Sequence, residues 1–526
     1  MLRRTLISLA PSLALGLVEA PARAADAGPT LTFRLGEDPE TLYNVQSISL
    51  TVAEVLGDQI LEGLVYLDRK GLPQPWLAQS WSVSDDQKEI TFKLRPGVKF
   101  HDGTDFNADA VKFHFTAIQD PQNASPLLPL IGPLHALDVP DPLTVRFTFA
   151  KPFAPFFTNL SLAQLYFNSP TAVAKYGKTY GRHPVGTGPY RFVSWNPGAE
   201  IDLERNPDYH PQWRSDAENK GAPYAARIVL RVIEEDGVAA EALETGELTA
   251  SNLTADIIPR FVHDPGYKVI INKNVTNLLF LEFNERRPTF QDFRFRQAMS
   301  YAINREAIVQ ASWSGYAAPA LGPLAVGIPG YDAGVVAKYG MPYDPAKAKA
   351  LLADAGWKPG PGGLLEKNGQ KARFLIKSYA GFTAIDRALA VIQSNLKDLG
   401  VDATLQTSDW GVFYPSLLRD DWDMDLDRWT WPDGAVLTQL FRSPGHRNST
   451  LPDPKVDSVL DRCNTLMEPT QRNVCLGEAQ QVLLQAMTIV PILTNWTVIA
   501  TQKNVLGYDL DFEGGLIPGD VHLAKT

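Results

Sequence analysis

Residues 372–407 read ARFLIKSYAGFTAIDRALAVIQSNLKDLGVDATLQT, and this stretch decides the fold class. The short apolar runs at 372–378 and 401–407 are typical of buried strands. Between them the sequence predicts a helix over 384–399, which we expect Thr383 to cap. A strand, a helix and a second strand in this order predict two parallel strands joined by a right-handed crossover. The chain is therefore expected to be an α/β protein.

The rest of the chain has the same mixed character. Residues 89–95 alternate between apolar and polar side chains, and with 81–84 they predict a β-hairpin. We expect Asn107 to cap a helix over 108–118. Further strands are predicted over 143–149, 190–195, 200–205 and 227–233, and further helices over 293–302, 305–311 and 345–355.

Length and composition bound the class of protein. The chain has 526 residues, of which 44% are apolar and 21% charged, so it is globular and long enough for several cores. Its formal net charge of -10 and its pI of about 5.4 argue against a partner nucleic acid, which requires a basic surface. Only two cysteines are present, which excludes a zinc module built from several cysteines and a disulfide scaffold.

The N-terminus predicts export. Arg3 and Arg4 precede a short apolar run at 6–18, and a small-residue cleavage site ends at Ala24. This order is typical of a secretory signal peptide over residues 1–24. No later run is apolar for long enough to span a bilayer, and no cysteine lies near the cleavage site to carry a lipid. We therefore expect a soluble periplasmic protein without a lipid anchor, and leave open whether it uses general or twin-arginine export.

Five stretches of the chain carry a family resemblance. They resemble conserved segments of the family-5 bacterial extracellular solute-binding proteins, the periplasmic oligopeptide, dipeptide and nickel receptors of ABC importers, and they occur in the family's order. The five stretches are ILEGLVYLDRKGLPQPWLAQSW (60–81), LRPGVKFHDGTDFNADAVKF (94–113), GTGPYRFVSWNPGAEIDLERNPDY (186–209), FNERRPTFQDFRFRQAMSYAINREAIV (283–309) and YDPAKAKALLADAGW (343–357).

The resemblance implies a two-lobe periplasmic-binding-protein fold, in which closure about a hinge buries the ligand. Lobe I is expected over 25–277, with an inserted subdomain at about 72–175. Lobe II is expected over 278–496, and residues 497–526 return to lobe I. The implied function is to capture a peptide or peptide-like solute and deliver it to the transmembrane subunits of an ABC permease with their ATPase. We expect a monomer with no cofactor, no metal ion and no catalytic activity.

The segment at 410–431 is unusually rich in tryptophan. Trp429 and Trp431 are two residues apart, so on a strand they share one face. The neighbouring charged residues and a proline indicate an exposed strand end, which favours a ligand cleft, although a core aromatic cluster is the alternative. The ligand-binding residues predicted from this segment and the resemblance are Trp429, Trp431, Asp433, Arg428, Trp410, Phe413, Gln46 and Ser47.

Asp433 has two interpretations. In the peptide receptors of the family, a Trp at this strand end is followed closely by an Asp that pairs with the ligand's amino group. Here Pro432 stands at the matching position, and Asp433 comes one residue later. Asp433 is therefore either the anchor for a positive ligand group or the cap of a helix beginning at Ala435. The alternative ligands are a metal chelate such as nickel, an opine or an oligosaccharide.

Two further features remain. Ser394 and Lys397 match the S-x-x-K pattern of serine acylases, which gives a remote alternative, a secreted serine hydrolase, but so loose a pattern also arises by chance. Cys463 and Cys475 lie in two predicted helical stretches, and an antiparallel hairpin of these helices brings the thiols together. In the oxidising periplasm we expect a disulfide, with two buried free thiols as the alternative.

Overall fold

The computed structural model describes residues 28–209, 212–443, 449–512 and 514–524. The predicted signal peptide at 1–24 lies outside the described residues. In chain order the strands are β1 (Thr30–Leu35), β2 (Val65–Leu67), β3 (Pro73–Pro75), β4 (Ala78–Val83), β5 (Glu89–Leu94), β6 (Leu134–Asp141), β7 (Thr144–Phe149), β8 (Tyr190–Asn196), β9 (Glu200–Arg205), β10 (Arg227–Val232), β11 (Ala250–Asn252), β12 (Tyr267–Asn272), β13 (Asn277–Phe283), β14 (Ala317–Pro319), β15 (Lys358–Pro359), β16 (Leu365–Lys367), β17 (Gln370–Lys371), β18 (Arg373–Tyr379), β19 (Asp402–Ser408), β20 (Met424–Thr430), β21 (Ile489–Asn495), β22 (Thr497–Gln502), β23 (Val505–Leu506) and β24 (His522–Leu523).

The helices lie between these strands and cover their faces. In chain order they are α1 (Leu50–Leu56), α2 (Ala108–Gln119), α3 (Leu128–Ile131), α4 (Phe156–Asn159), α5 (Pro170–Tyr176), α6 (Asp236–Glu244), α7 (Ile258–Phe261), α8 (Pro288–Gln291), α9 (Phe293–Ala302), α10 (Arg305–Trp313), α11 (Ala333–Tyr339), α12 (Pro345–Asp354), α13 (Thr383–Asp398), α14 (Trp410–Leu418), α15 (Val436–Phe441), α16 (Pro454–Cys463) and α17 (Pro469–Ala486). Among the helices of the described residues, none has both the length and the apolarity that a bilayer crossing needs.

Two large sheets form the centres of two lobes. The first has the strand order β12-β22-β11-β1-β10-β9-β8, and we call the unit built on it lobe I. The second has the order β14-β21-β13-β20-β18-β19, and we call its unit lobe II. The chain passes from lobe I to lobe II between β12 and β13, and returns between β21 and β22. The α/β prediction is confirmed.

A third sheet, of order β4-β5-β7-β6, forms an inserted subdomain. Its strands come from the chain between β1 and β8, both of which belong to the lobe I sheet. The predicted hairpin is confirmed, because β4 and β5 pair antiparallel. The inserted subdomain has its own apolar core, in which Phe92, Phe115 and Phe147 are buried.

The predicted crossover is present in lobe II. Strands β18 and β19 pair parallel, from Arg373 opposite Asp402 to Tyr379 opposite Ser408, and α13 connects them. The cap prediction is wrong, because the helix begins one residue earlier than expected. Thr383 is its first residue, and Phe382 takes the capping position without a side-chain hydrogen bond.

Apolar cores cover both faces of the lobe II sheet. Every residue of β13 is buried. Leu279 and Leu281 belong to one apolar core, whereas Leu278 and Phe280 belong to another on the opposite face. The second core includes α16 and α17, which are joined by a disulfide between Cys463 and Cys475.

Candidate functional site

The carboxyl ends of the parallel strands in lobe I face the carboxyl ends of the parallel strands in lobe II. In lobe I, β1 runs parallel to β10 and β11, and in lobe II, β18 runs parallel to β19 and β20. Asp256 follows β11, and Arg387 lies in the helix that follows β18. Their side chains form a two-pronged ion pair, with distances of 2.6 and 2.9 Å. The strand ends of both sheets therefore border one cleft, which is the usual ligand position in open α/β sheets.

Asp433 makes a second contact between the lobes. The hydroxyl of Thr158 donates to Asp433 Oδ2 at 2.8 Å, and Thr158 lies in α4 of the inserted subdomain. Within lobe II, the Arg472 guanidinium donates to both carboxylate oxygens. The N–H of Ala435 donates to Oδ1 at 2.7 Å.

These contacts correct the prediction that Asp433 anchors a ligand cation. The carboxylate is 3% exposed, and both of its oxygens already accept hydrogen bonds from the protein. Burial acts to raise the pKa of Asp433, but the Arg472 charge and the hydrogen bonds outweigh it and hold the pKa below its usual value. The capping alternative is not met as predicted either, because α15 begins at Val436 with Ala435 in the capping position, and of the backbone N–H groups that the structure describes the Asp433 carboxylate accepts only that of Ala435.

The two tryptophans of the strand end pack on the same apolar core. Trp429 pairs across the sheet with Leu278, and the N–H of Trp431 continues the ladder by donating to the Thr276 carbonyl at 3.2 Å. Both side chains are half-buried against the α15–α17 side of lobe II. Trp431 also packs against the core of the inserted subdomain, so it bridges the two lobes.

Arg428 lies on the opposite face of β20. Its guanidinium is 5.9 Å from the ring centre of Phe382, which follows the carboxyl end of β18 and is 50% exposed. Arg428 forms no ion pair with any residue that the structure describes. Trp410 follows β19, is 53% exposed and stacks on Tyr414. Of the predicted residues on the lobe II rim, Trp410 is thus exposed, and Arg428 is half-buried without an ion-pair partner among the described residues.

Two predicted ligand residues are buried instead. Phe413 is completely buried in the lobe II core, because it occupies the inward face of α14. Ser47 is also buried, and its hydroxyl donates to the Glu40 carboxylate. Neither side chain is available to a ligand in this structure. Gln46, in contrast, is exposed.

A cavity of about 390 Å³ lies in the lobe I wall and was not predicted from the sequence. It opens at the carboxyl edge of the sheet, since Asn252 ends β11 and Thr497 begins the returning strand β22. The side chain of Glu54 in α1 has solvent-accessible surface inside this cavity, and the walls of the cavity surround it with protein atoms. Desolvation therefore raises the pKa of Glu54 to about 7, against the opposing effect of Arg34.

The sequence also singled out the two cysteines and an S-x-x-K pattern, and it raised the question of a metal site. Cys463 and Cys475 are bonded to each other and lie in the core of lobe II. Ser394 and Lys397 are both exposed on α13. Among the described residues, no three His, Cys, Asp or Glu side chains form a group suited to a metal ion.

Comparison with known proteins identifies the family. The profile described as bacterial extracellular solute-binding proteins, family 5 Middle, matches residues 73–449. The chain belongs to this family. Its members are the solute-binding components of ABC importers, and the predicted recognition and two-lobe fold are confirmed.

Relatives and solved structures match over nearly the whole chain. The glutathione-binding protein GsiB of Shigella dysenteriae serotype 1 (strain Sd197) is 29% identical over 519 residues, covering 94% of this chain and 95% of the relative. NikA from Brucella suis, in complex with Fe(III)-EDTA, has a TM-score of 0.84 at 23% identity, covering 94% of this chain and 100% of that chain. DppA from Helicobacter pylori, in complex with the peptide STSA, has a TM-score of 0.77 at 23% identity, covering 95% and 98%. The two structures establish the shared fold.

Proposed function

We propose that this chain is an exported periplasmic receptor that captures a peptide-like solute between its lobes and presents it to an ABC permease. The observation that carries the proposal is the Asp256–Arg387 ion pair, which places the strand ends of both lobes on one cleft. The signal peptide at 1–24 and the lobe boundaries at 25–277, 278–496 and 497–526 belong to the same proposal.

The lobe II rim has the chemistry that a peptide needs. Arg428 offers a guanidinium with no ion-pair partner among the described residues, and a guanidinium binds a carboxylate with two parallel hydrogen bonds. Phe382 presents an exposed ring 5.9 Å from this guanidinium, and Trp410 presents a second exposed ring that contacts Tyr379 of β18. Exposed rings suit apolar or cationic side chains. The naming of GsiB as glutathione-binding and the STSA peptide in DppA support a peptide-like solute.

The test is to identify the ligand directly. Protein purified from the periplasm is denatured with acid, and the released small molecules are identified by mass spectrometry. Titration calorimetry then measures the dissociation constant for the recovered solute. We expect a short peptide or a peptide derivative. Recovery and tight binding of a nickel chelate, an opine or an oligosaccharide instead would contradict the peptide proposal while leaving the receptor class intact.

A matched pair of variants connects binding to the cleft. Arg428→Gln removes the guanidinium from the lobe II rim and should weaken binding of a peptide with a free carboxylate at least ten-fold, because a charge-assisted bond contributes about 1.5–3 kcal/mol. Arg373→Gln removes an exposed guanidinium at the opposite end of the same sheet and should leave the dissociation constant unchanged. Equal affinities for the two variants would remove Arg428 from the site.

A further inference from the structure

The cavity in lobe I has an excess of acidic groups. The charged residues that line it are Arg34, Glu54, Asp58 and Asp511. Arg34 is already engaged, because its guanidinium pairs with Asp236 at 2.8 Å and donates to the carbonyls of two neighbouring residues. The one cation in the lining is therefore held by groups outside the cavity, whereas the lining contains three carboxylates, of which Asp58 and Asp511 lie near the Arg214 guanidinium.

A buried guanidinium beneath the cavity is also shared among several carboxylates. Arg214 is 2% exposed and lies 2.5 Å from Asp58, 2.9 Å from Asp216 and 4.0 Å from Asp511. The single positive charge of Arg214 is thus shared among three carboxylates. Burial and the neighbouring carboxylates raise the pKa of Asp58, and Arg214 opposes them only in part.

The carboxylate of Glu54 retains capacity for a further partner. Glu54 forms neither an ion pair nor a side-chain hydrogen bond with any described residue. Asp58 gives one oxygen to Arg214, whereas its Oδ1 atom is buried and has no hydrogen-bond partner among the described residues. Because that Oδ1 atom has almost no solvent-accessible surface, a ligand in the cavity cannot reach it, and Glu54 is the carboxylate that offers a ligand an open, unpaired oxygen.

We infer that this cavity binds a positively charged group of the solute, either a guanidinium or an ammonium. The inference deepens the proposed function and rests on it. Apolar neighbours such as Leu50, Leu230 and Ile499 form much of the remaining lining, and low-polarity walls strengthen the attraction between a carboxylate and a cation. The ring of Tyr508 offers a face for a guanidinium. The preferred solutes are therefore basic peptides or other cationic molecules, and anionic peptides are disfavoured.

The experiment compares isosteric ligands by titration calorimetry on the full mature protein. Gly-Arg is compared with Gly-citrulline, which replaces the guanidinium by a neutral urea group of similar shape. N-acetyl-Gly-Arg distinguishes the side chain from the α-amino group as the source of the cation. Agmatine supplies the guanidinium without a carboxylate, and glutathione supplies an anionic peptide.

We expect Gly-Arg to bind at least ten-fold more tightly than Gly-citrulline. In Glu54→Gln the ratio should fall below three-fold, whereas the exposed control Glu241→Gln on α6 should retain it. Leu50→Lys adds a cation at the cavity rim, where Leu50 is 69% exposed and the substitution leaves the core intact. It should weaken Gly-Arg selectively, and so it provides the test if Glu54→Gln fails to fold.

The outcomes separate the inference from the proposed function. Equal binding of Gly-Arg, Gly-citrulline and N-acetyl-Gly-Arg, or tighter binding of glutathione than of Gly-Arg, overturns the cation site while peptide binding stands. Equal binding of Gly-Arg and Gly-citrulline, together with at least ten-fold weaker binding of N-acetyl-Gly-Arg, assigns the cation to the α-amino group and supports the site. Binding of agmatine without any peptide supports the site and overturns the peptide proposal. Failure of every probe to bind overturns both.

Discussion

Asn277 and Asn495 hydrogen bond to each other where the chain crosses between the lobes. The amide of Asn277 donates to the carbonyl of Asn495 at 2.9 Å, and its oxygen accepts from the Asn495 N–H at 2.9 Å. One side chain thus ties the outgoing crossover to the backbone of the returning one. This bond pair keeps the two crossovers in register, which is what a hinge between rigid lobes requires.

Asn277→Ala should loosen the hinge. The variant removes both bonds, and each net hydrogen bond contributes about 0.5–1.5 kcal/mol, so the free energy of unfolding should fall by about 1–3 kcal/mol. Denaturant unfolding measures it. Asn495→Ala is the matched control, because Asn495 contributes only backbone atoms to the pair. Equal losses in the two variants would show that the bond pair has no special role.

Thr158→Val tests whether the contact with Asp433 favours the closed arrangement of the lobes. The variant preserves side-chain shape but removes the hydroxyl that donates to Asp433. Loss of about 1 kcal/mol from the closed state should weaken solute binding about five-fold. Thr179→Val is the control, since the Thr179 hydroxyl bonds locally to Tyr176 in the same lobe. An unchanged dissociation constant in Thr158→Val contradicts the role of this contact in closure.

The disulfide should stabilise lobe II without being essential for folding. A Cys463→Ser/Cys475→Ser variant loses a cross-link over a sequence separation of 12, which is worth about 3 kcal/mol in the chain-entropy account. Thermal unfolding with and without reductant measures the loss. Thiol labelling of the denatured, unreduced protein should detect no free cysteine. Two labelled thiols per chain would contradict the bond.

Affinity for a cationic solute should rise with pH. Because the pKa of Glu54 is raised to about 7, the carboxylate is largely protonated at about pH 6 and largely ionised at about pH 8. Arg34, Glu37 and Tyr508 are its titratable or charged neighbours. The dissociation constant for Gly-Arg should therefore fall several-fold over this interval, and Glu54→Gln should flatten the profile. A profile that stays equally steep in the variant would assign the titration to another group.

The raised pKa of Glu54 affects folding stability in the opposite direction: affinity for a cation rises with pH, whereas stability falls. A raised carboxylate pKa in the folded state means that the folded protein binds the proton more tightly than the unfolded chain. The contribution of Glu54 to stability is therefore complete below the unfolded pKa of about 4.5, and it is lost as the pH rises to about 7. A bound cation would reverse this trend by favouring the ionised form.

Local sequence patterns were sufficient for the elements but not for the site. The β18–α13–β19 unit was predictable because its apolar runs and turn residues lie within 36 consecutive positions. The role of Asp433 depends on Thr158 and Arg472, which are 275 and 39 residues away in sequence. No local pattern connects those three residues, so the sequence alone could not separate an anchor from an internal ion pair.

Glu54 is a second residue whose role could not be predicted from the local sequence. It lies within LTVAEVL, a pattern that by itself predicts an ordinary amphipathic helix with one charged residue. The cavity around it forms only when α1 meets β1 and the C-terminal segment around Tyr508, residues that are far apart in the chain. An acidic residue in a short apolar helix is the signal, but its meaning comes from tertiary contacts.

We propose that the solute is captured when the two lobes close about the paired crossovers. Small-angle X-ray scattering tests it on the purified protein, first stripped of ligand and then saturated with the solute recovered from the native protein. We expect a smaller radius of gyration in the saturated sample at unchanged molecular mass, because the lobes rotate together around the bound solute. An identical radius in both samples, with binding verified by calorimetry, would contradict it.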